Sequence, residues 1–194
     1  MKASARVAAI VLGAGSGTRF GSTKQLALLD GRPLIRVAVE SILGYDLDEV
    51  VVVLGHDADA IRPALERLPV RIVMNERFAE GLATSLAAGV AALEPGIGAA
   101  LVVLGDQPVP AGVVERLIAR WRDDAGEIVA PAYRGTRGNP VLFDAALFTK
   151  LTRLRGDRGA RDLIDASPWR TTIVDFDVAA PTDVDRPADL DAER

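Results

Sequence analysis

Six short apolar runs rich in β-branched residues recur along the chain, each separated from the next by a stretch with helical periodicity. Val7 to Leu12, Val50 to Leu54, Val70 to Val73, Ala100 to Leu104, Ile128 to Ala130 and Thr171 to Val174 read as buried strands. Between them Pro33 suits the first position of a helix whose Leu34, Val37, Ala38 and Ile42 share one face before Gly44 stops it. Further one-sided stripes carry Ile61, Ala64, Leu65 and Leu68, then Leu82, Leu86, Val90 and Leu93, then Val113, Val114, Leu117, Ile118 and Trp121. Strands alternating with amphipathic helices predict an α/β fold on a mostly parallel sheet. At 194 residues, without an internal repeat or a linker-like composition break, one domain spanning 1–194 is expected.

Charge and composition exclude several classes of partner. A net charge of −4 argues against broad nucleic-acid binding, which needs a basic face, and no run approaches the ~18 to 20 apolar residues of a membrane span. Met1 to Arg6 lead straight into the first strand, so no separate signal region is expected. With no cysteine there is neither a disulfide framework nor a thiolate metal site, and a cytoplasmic setting is expected. The one histidine, His56, rules out a multi-histidine metal centre and reads as part of a βα turn.

The first strand delivers Gly13-Ala14-Gly15-Ser16-Gly17-Thr18-Arg19-Phe20-Gly21-Ser22-Thr23-Lys24. Its glycines let backbone N–H groups approach anionic oxygens, while Arg19 and Lys24 add cations, a combination suited to a triphosphate. A dinucleotide fingerprint would need a third glycine where Thr18 stands and an acid about 20 residues on, and a Walker loop would need Lys-Ser/Thr directly after its second glycine. Neither spacing is met. A second strand end, Leu104-Gly105-Asp106-Gln107-Pro108, places the Asp106 carboxylate at the ligand-binding edge of a parallel sheet, where it can take a hard cation.

The segment Leu12 to Lys24 resembles the L-A-A/G-G-x-S-x-R-M/F-G-x-x-K signature of the molybdenum cofactor cytidylyltransferases and molybdopterin guanylyltransferases, with Gly13 in place of the usual alanine, Gly17 where the signature has serine, and Phe20 in place of the commoner methionine. Gly105-Asp106-Gln107-Pro108 resembles the same family's magnesium-binding motif. Asn75 to Leu86 is similar to its N-x-x-[WF]-x-x-G-[ML]-x-x-S-[LI] segment, which implies that Gly81 and Ser85 lie beside the nucleobase. Arg137-Gly138-Asn139-Pro140-Val141-Leu142-Phe143 and Gly156-Asp157-Arg158-Gly159-Ala160-Arg161 resemble the stretches tied to the second substrate, implying acceptor contacts from Arg137, Asn139, Pro140, Asp157 and Arg161. Asp183 to Leu190 resembles the closing motif, with Asp185 as a second metal-binding acid.

The resemblance implies a three-layer α/β/α, Rossmann-like nucleotidyltransferase. It implies a nucleotide site formed by Leu12, Gly13, Ala14, Gly15, Ser16, Gly17, Thr18, Arg19, Lys24, Gly81, Ser85 and Asp106, with Arg19, Lys24 and Asp106 in the reaction and Mg²⁺ on Asp106 and Asp185. Ala14, where the guanylyltransferases carry glycine, leans towards CTP, with molybdopterin as acceptor and a molybdenum hydroxylase as a transient partner. Two alternatives stand beside this reading: a related transferase using GTP or another phosphorylated acceptor, and a non-catalytic nucleotide-binding protein that delivers cofactor.

Overall fold

A computed structural model describes residue 2 and residues 4–15, 23–166 and 171–181. Strand β1 (Arg6–Leu12) is followed by a small hairpin, β2 (Leu28–Leu29) and β3 (Arg32–Pro33), and by helix α1 (Leu34–Glu40). Next come β4 (Glu49–Leu54), α2 (Ala58–Ile61), β5 (Arg71–Met74), α3 (Leu82–Ala92), β6 (Ile97–Leu104) and α4 (Val113–Arg122). The remaining elements are β7 (Ile128–Tyr133), β8 (Thr136–Arg137), β9 (Val141–Asp144), α5 (Phe148–Leu151), α6 (Arg161–Asp165) and β10 (Thr171–Phe176).

The main sheet runs β10-β7-β9-β6-β1-β4-β5, with β8 paired to β7. The β1–β4, β1–β6, β4–β5 and β7–β10 pairs are parallel, whereas β9 lies antiparallel between β6 and β7. This is an α/β fold on a mixed sheet in which most pairs are parallel, as the alternation of strands and helices predicts. Alternate residues of the central strands feed opposite layers, as a two-residue side-chain period requires. Val7, Ala9 and Val11 of β1 pack with Ile35, Ile61 and Leu117 from α1, α2 and α4. Ile10 and Leu12 pack with Leu86, Leu151 and Ile164 from α3, α5 and α6. Both faces are therefore covered. Ile10 is fully buried, and burying such a side chain is worth about 1.5–3 kcal/mol.

The helical expectations need local correction. Pro33 ends β3 and sits at the N-cap of α1 instead of its first turn. The stripe through Leu68 is a single turn of α2 followed by a 3-10 turn, Arg62–Leu65. Pro63 explains the break, since it has no N–H to continue an α-helical ladder. The polar segment expected as an insertion after Pro131 keeps Ala132 and Tyr133 inside β7 and turns back through β8. The run expected to be helical from Asp144 starts one residue later, Asp144 being the last residue of β9 and accepting the Ala146 N–H.

Connectivity fixes where a ligand can sit. From β1 the chain moves outward to β4 and β5, then returns to the other side of β1 as β6. Such a reversal leaves a crevice beyond the carboxyl ends of the two strands flanking it. Among the described residues, no helix is long and apolar enough to cross a membrane.

Candidate nucleotide and acceptor site

Gly13 and Gly105, which follow β1 and β6, are locked side by side. The Gly13 N–H donates to Val53 O at 2.9 Å and the Gly105 N–H to Leu12 O at 2.9 Å. A Cβ on Gly105 would stand 3.0 Å from Leu12 O and 3.2 Å from the Gly13 Cα, so these strand ends approach closely because Gly105 has no side chain. Lys24 and Asp106 meet across this seam, with Lys24 Nζ 2.6 Å from Asp106 Oδ2. The Lys24 side chain is 12% exposed and that of Asp106 about one quarter exposed, so the pair is partly shielded from solvent. Ser16, Gly17, Thr18 and Arg19 lie outside the described residues, as does Asp185 with its 183–190 motif.

The stem of the loop is held by residues that motif matching passes over. Gln25 Nε2 donates to Gly15 O at 2.9 Å and to Gly13 O at 3.3 Å. Thr23 donates to Asp57, whose carboxylate also lies 3.1 Å from His56 Nδ1. The His56 N–H reaches Ala14 O at 3.3 Å, which agrees with its reading as a turn residue.

Ser85 is buried and does not form an exposed wall. Asn75 Nδ2 donates to Thr84 Oγ1 at 2.9 Å and to Ser85 Oγ at 3.0 Å, while Asn75 Oδ1 accepts the Arg77 N–H. This network fixes the start of α3. At its N-cap, Gly81 has φ 109° and ψ 170°, a region open essentially to glycine alone. The turn at Gly156 lies directly against it, with the Ala83 N–H donating to Gly156 O at 3.0 Å. The segments expected to serve nucleotide and acceptor are thus joined by a backbone hydrogen bond.

A cavity of about 620 Å³ opens beside this junction. Its apolar wall comes from Leu82, Leu86, Val102, Val141, Phe143 and Ile164, and Leu12 and Leu104 carry it to the ends of β1 and β6. Arg137, Arg158 and Arg161 supply the basic side, with Gln107 and Asn139 as neutral polar groups. Arg137 lies 2.6 Å from Asp165, and Arg158 pairs with Asp162 and Asp165. The Arg137 hydrogen bond holds the Asp165 carboxyl below its usual range, aided by the charges of Arg158 and Arg161. An arriving anion has to compete with these carboxylates.

Of the expected acceptor residues, Arg137, Asn139 and Arg161 line the cavity. Pro140 is buried behind a cis Asn139–Pro140 peptide, and Asp157 turns its carboxylate towards Gly81. Neither lines the cavity. Arg158 does so although it stands at the variable position of its motif, and only its charge could have singled it out. Asn139 is itself positioned: its Nδ2 donates to Gln107 Oε1 at 3.3 Å, and Tyr133 Oη donates to its carbonyl at 2.6 Å.

Asp106 is a suitable oxygen donor for a divalent cation. Among the described residues no group of three or more Asp, Glu, His or Cys forms a protein-only cage. Magnesium commonly binds through one or two carboxylates and completes its shell with water and substrate phosphates, so this donor set fits an ion that binds with a nucleotide.

Known proteins resemble this chain over most of its length. A family model described as a MobA-like NTP transferase domain matches residues 9–172. The chain is 35% identical over 190 residues to nicotine blue oxidoreductase of Paenarthrobacter nicotinovorans, covering 92% of each. The crystal structure of Rv0371c from Mycobacterium tuberculosis H37Rv superimposes with a TM-score of 0.89 at 28% identity, covering 97% of both chains. A manganese complex of that mycobacterial protein gives a TM-score of 0.82 at the same identity, again with 97% of both chains covered. A nucleotidyl transferase from Methanothermobacter gives a TM-score of 0.71 at 26% identity, covering 95% of this chain and 90% of that one.

Proposed function

The chain belongs to the MobA-like NTP transferase domain family, and from that premise we propose that it is a CTP:molybdopterin cytidylyltransferase acting with magnesium in the cytoplasm. The observation that carries the proposal is the Lys24–Asp106 contact just past the end of β6, whose last residue, Leu104, lines the cavity. It brings a cation for phosphate and a carboxylate for a metal to the boundary between the two proposed substrates. The manganese complex of the mycobacterial relative adds support for a divalent ion.

In this reading the loop amides, Arg19 and Lys24 hold the triphosphate, while Asp106 and Asp185 hold the ion, with Gly81 and Ser85 shaping the base side. A bound divalent cation neutralises charge on the phosphate oxygens. The cavity walls seat the acceptor, and Arg137 with Arg161 steer its phosphate towards the seam. An acceptor phosphate oxygen forms a bond to the α-phosphorus as the bond to the bridging oxygen breaks, and that electron pair leaves with pyrophosphate. The acceptor is already anionic, so alignment and charge stabilisation suffice without a general base. The product is a dinucleotide for a molybdenum hydroxylase.

Thermal stabilisation against CTP, GTP, ATP and UTP with magnesium tests the donor. A nucleotide at about 100 times its Kd adds about 2.7 kcal/mol, so CTP should raise the melting temperature most. Equal response to all four, or the largest response to GTP, contradicts the cytidylyl assignment.

One observation favours a second reading: the Paenarthrobacter relative is named an oxidoreductase. On that reading the apolar cavity takes nicotine blue, the substrate in the relative's name. Decolourisation of nicotine blue with a reduced nicotinamide nucleotide would support it, whereas the loop spacing lacks the dinucleotide fingerprint such a donor commonly uses.

A further inference from the structure

We propose that Gln25 is a positioning residue that turns the first turn of the phosphate loop towards the triphosphate. The inference rests on the nucleotide reading of that loop. Gln25 is only 6% exposed, and its one amino group serves two carbonyls, Gly15 O at 2.9 Å and Gly13 O at 3.3 Å. The intervening carbonyl, Ala14 O, accepts the His56 N–H. Three successive carbonyl oxygens are therefore engaged by protein donors.

The consequence follows from peptide planarity. In a trans peptide the N–H points opposite to the preceding C=O, so fixing Gly13 O on Gln25 directs the Ala14 N–H away from that side chain. Fixing Ala14 O on His56 does the same for the Gly15 N–H. Without these anchors a carbonyl can rotate towards the ligand and repel a phosphate oxygen. With their carbonyls engaged, the N–H groups of Ala14 and Gly15 are turned away from Gln25 and His56 respectively, and backbone N–H groups presented in this way can contribute to an anion-binding concavity.

The other end of the same side chain separates positioning from stability. Among the described residues, Gln25 Oε1 is buried without a hydrogen-bond partner. An unmatched buried acceptor destabilises the folded chain, so Gln25 serves the loop at the expense of its own solvation. The unbranched, similarly sized methionine removes the unmatched oxygen, a gain that offsets the cost of leaving Gly13 O and Gly15 O without this donor. A purely structural glutamine would lower thermal stability when lost. A positioning glutamine loses ligand affinity while the melting temperature holds or rises.

The experiment measures binding of CTP and of inorganic tripolyphosphate, each with magnesium, to wild type and Gln25→Met, beside their ligand-free melting temperatures. The expected result is a loss of tenfold or more for both ligands, with an unchanged or higher melting temperature. Gln25→Asn keeps the carboxamide but shortens its reach, and the same loss is expected there should the methionine variant misfold. Affinity within twofold of wild type in both variants overturns the role of Gln25 and leaves the nucleotide reading standing. A parallel fall in affinity and melting temperature in both variants makes the residue structural. A wild-type chain that binds neither ligand overturns the nucleotide reading, and this proposal with it.

Discussion

Replacing Gly81 by alanine inserts a methyl group where three atoms already stand. A Cβ there would lie 2.5 Å from Asp157 Oδ1, 2.6 Å from Gly156 C and 2.7 Å from Gly156 O. Two of the three are backbone, so rotating a side chain cannot relieve the clash. The backbone conformation itself costs a non-glycine residue about 1–3 kcal/mol. The least costly escape is for the turn at Gly156 to lift, which sacrifices the Ala83 N–H bond to Gly156 O, worth about 1 kcal/mol. The sum is a destabilisation of about 2–4 kcal/mol, read from urea unfolding of the ligand-free protein. Asp157→Ala in the Gly81→Ala background should recover only part of it, because the Gly156 contacts remain. Gly159, Ala160 and Arg161 line the cavity just beyond this turn, so the alanine variant should lose acceptor turnover as well as nucleotide affinity. A Gly81→Ala protein within about 0.5 kcal/mol of wild type would refute the close docking of the two segments.

Asp106→Asn should abolish most pyrophosphate release without unfolding the chain, since the carboxylate lies at the seam and not in the core; near-normal turnover by a folded variant removes it from the reaction. If the methyl of Ala14 narrows the base site, Ala14→Gly should raise the GTP-to-CTP ratio of kcat/KM by about tenfold, in line with roughly 1–3 kcal/mol per methyl group, and an unchanged ratio ends that role. Burial pushes the Tyr133 hydroxyl from 10.0 up to about 12. The folded state therefore keeps its proton where the unfolded chain has lost it, so the stabilisation is complete below pH 10 and is lost as pH rises towards 12. Wild type should lose about 1.4 kcal/mol per pH unit relative to Tyr133→Phe across that interval, and parallel stability curves would contradict it.

The strands were legible because their residues face two apolar layers, which leaves continuous runs such as Val50 to Leu54. Strand β9 was not recognised as one, although Val141-Leu142-Phe143 is apolar: at four residues, after a proline, it carries no period that separates strand from loop. The loop glycines and Asp106 could be found from type and spacing because both follow strands directly. Gln25, Asp57 and Thr84 could not, since each matters through a partner brought near by the fold. Asp157 is the reverse case: its motif was visible, but its side chain points to Gly81 and not into the cavity. Charge balance around Arg137 and Arg158 was equally hidden, because Asp165 approaches both only when α6 forms.

The central claim is cytidylyl transfer to a phosphorylated acceptor, and the most direct test is pyrophosphate release with each of the four NTPs, molybdopterin and magnesium. The account predicts release that requires acceptor and metal together, is fastest with CTP, and disappears in Asp106→Asn. No release with any NTP, from a folded protein that instead oxidises a reduced nicotinamide nucleotide in the presence of nicotine blue, would contradict it.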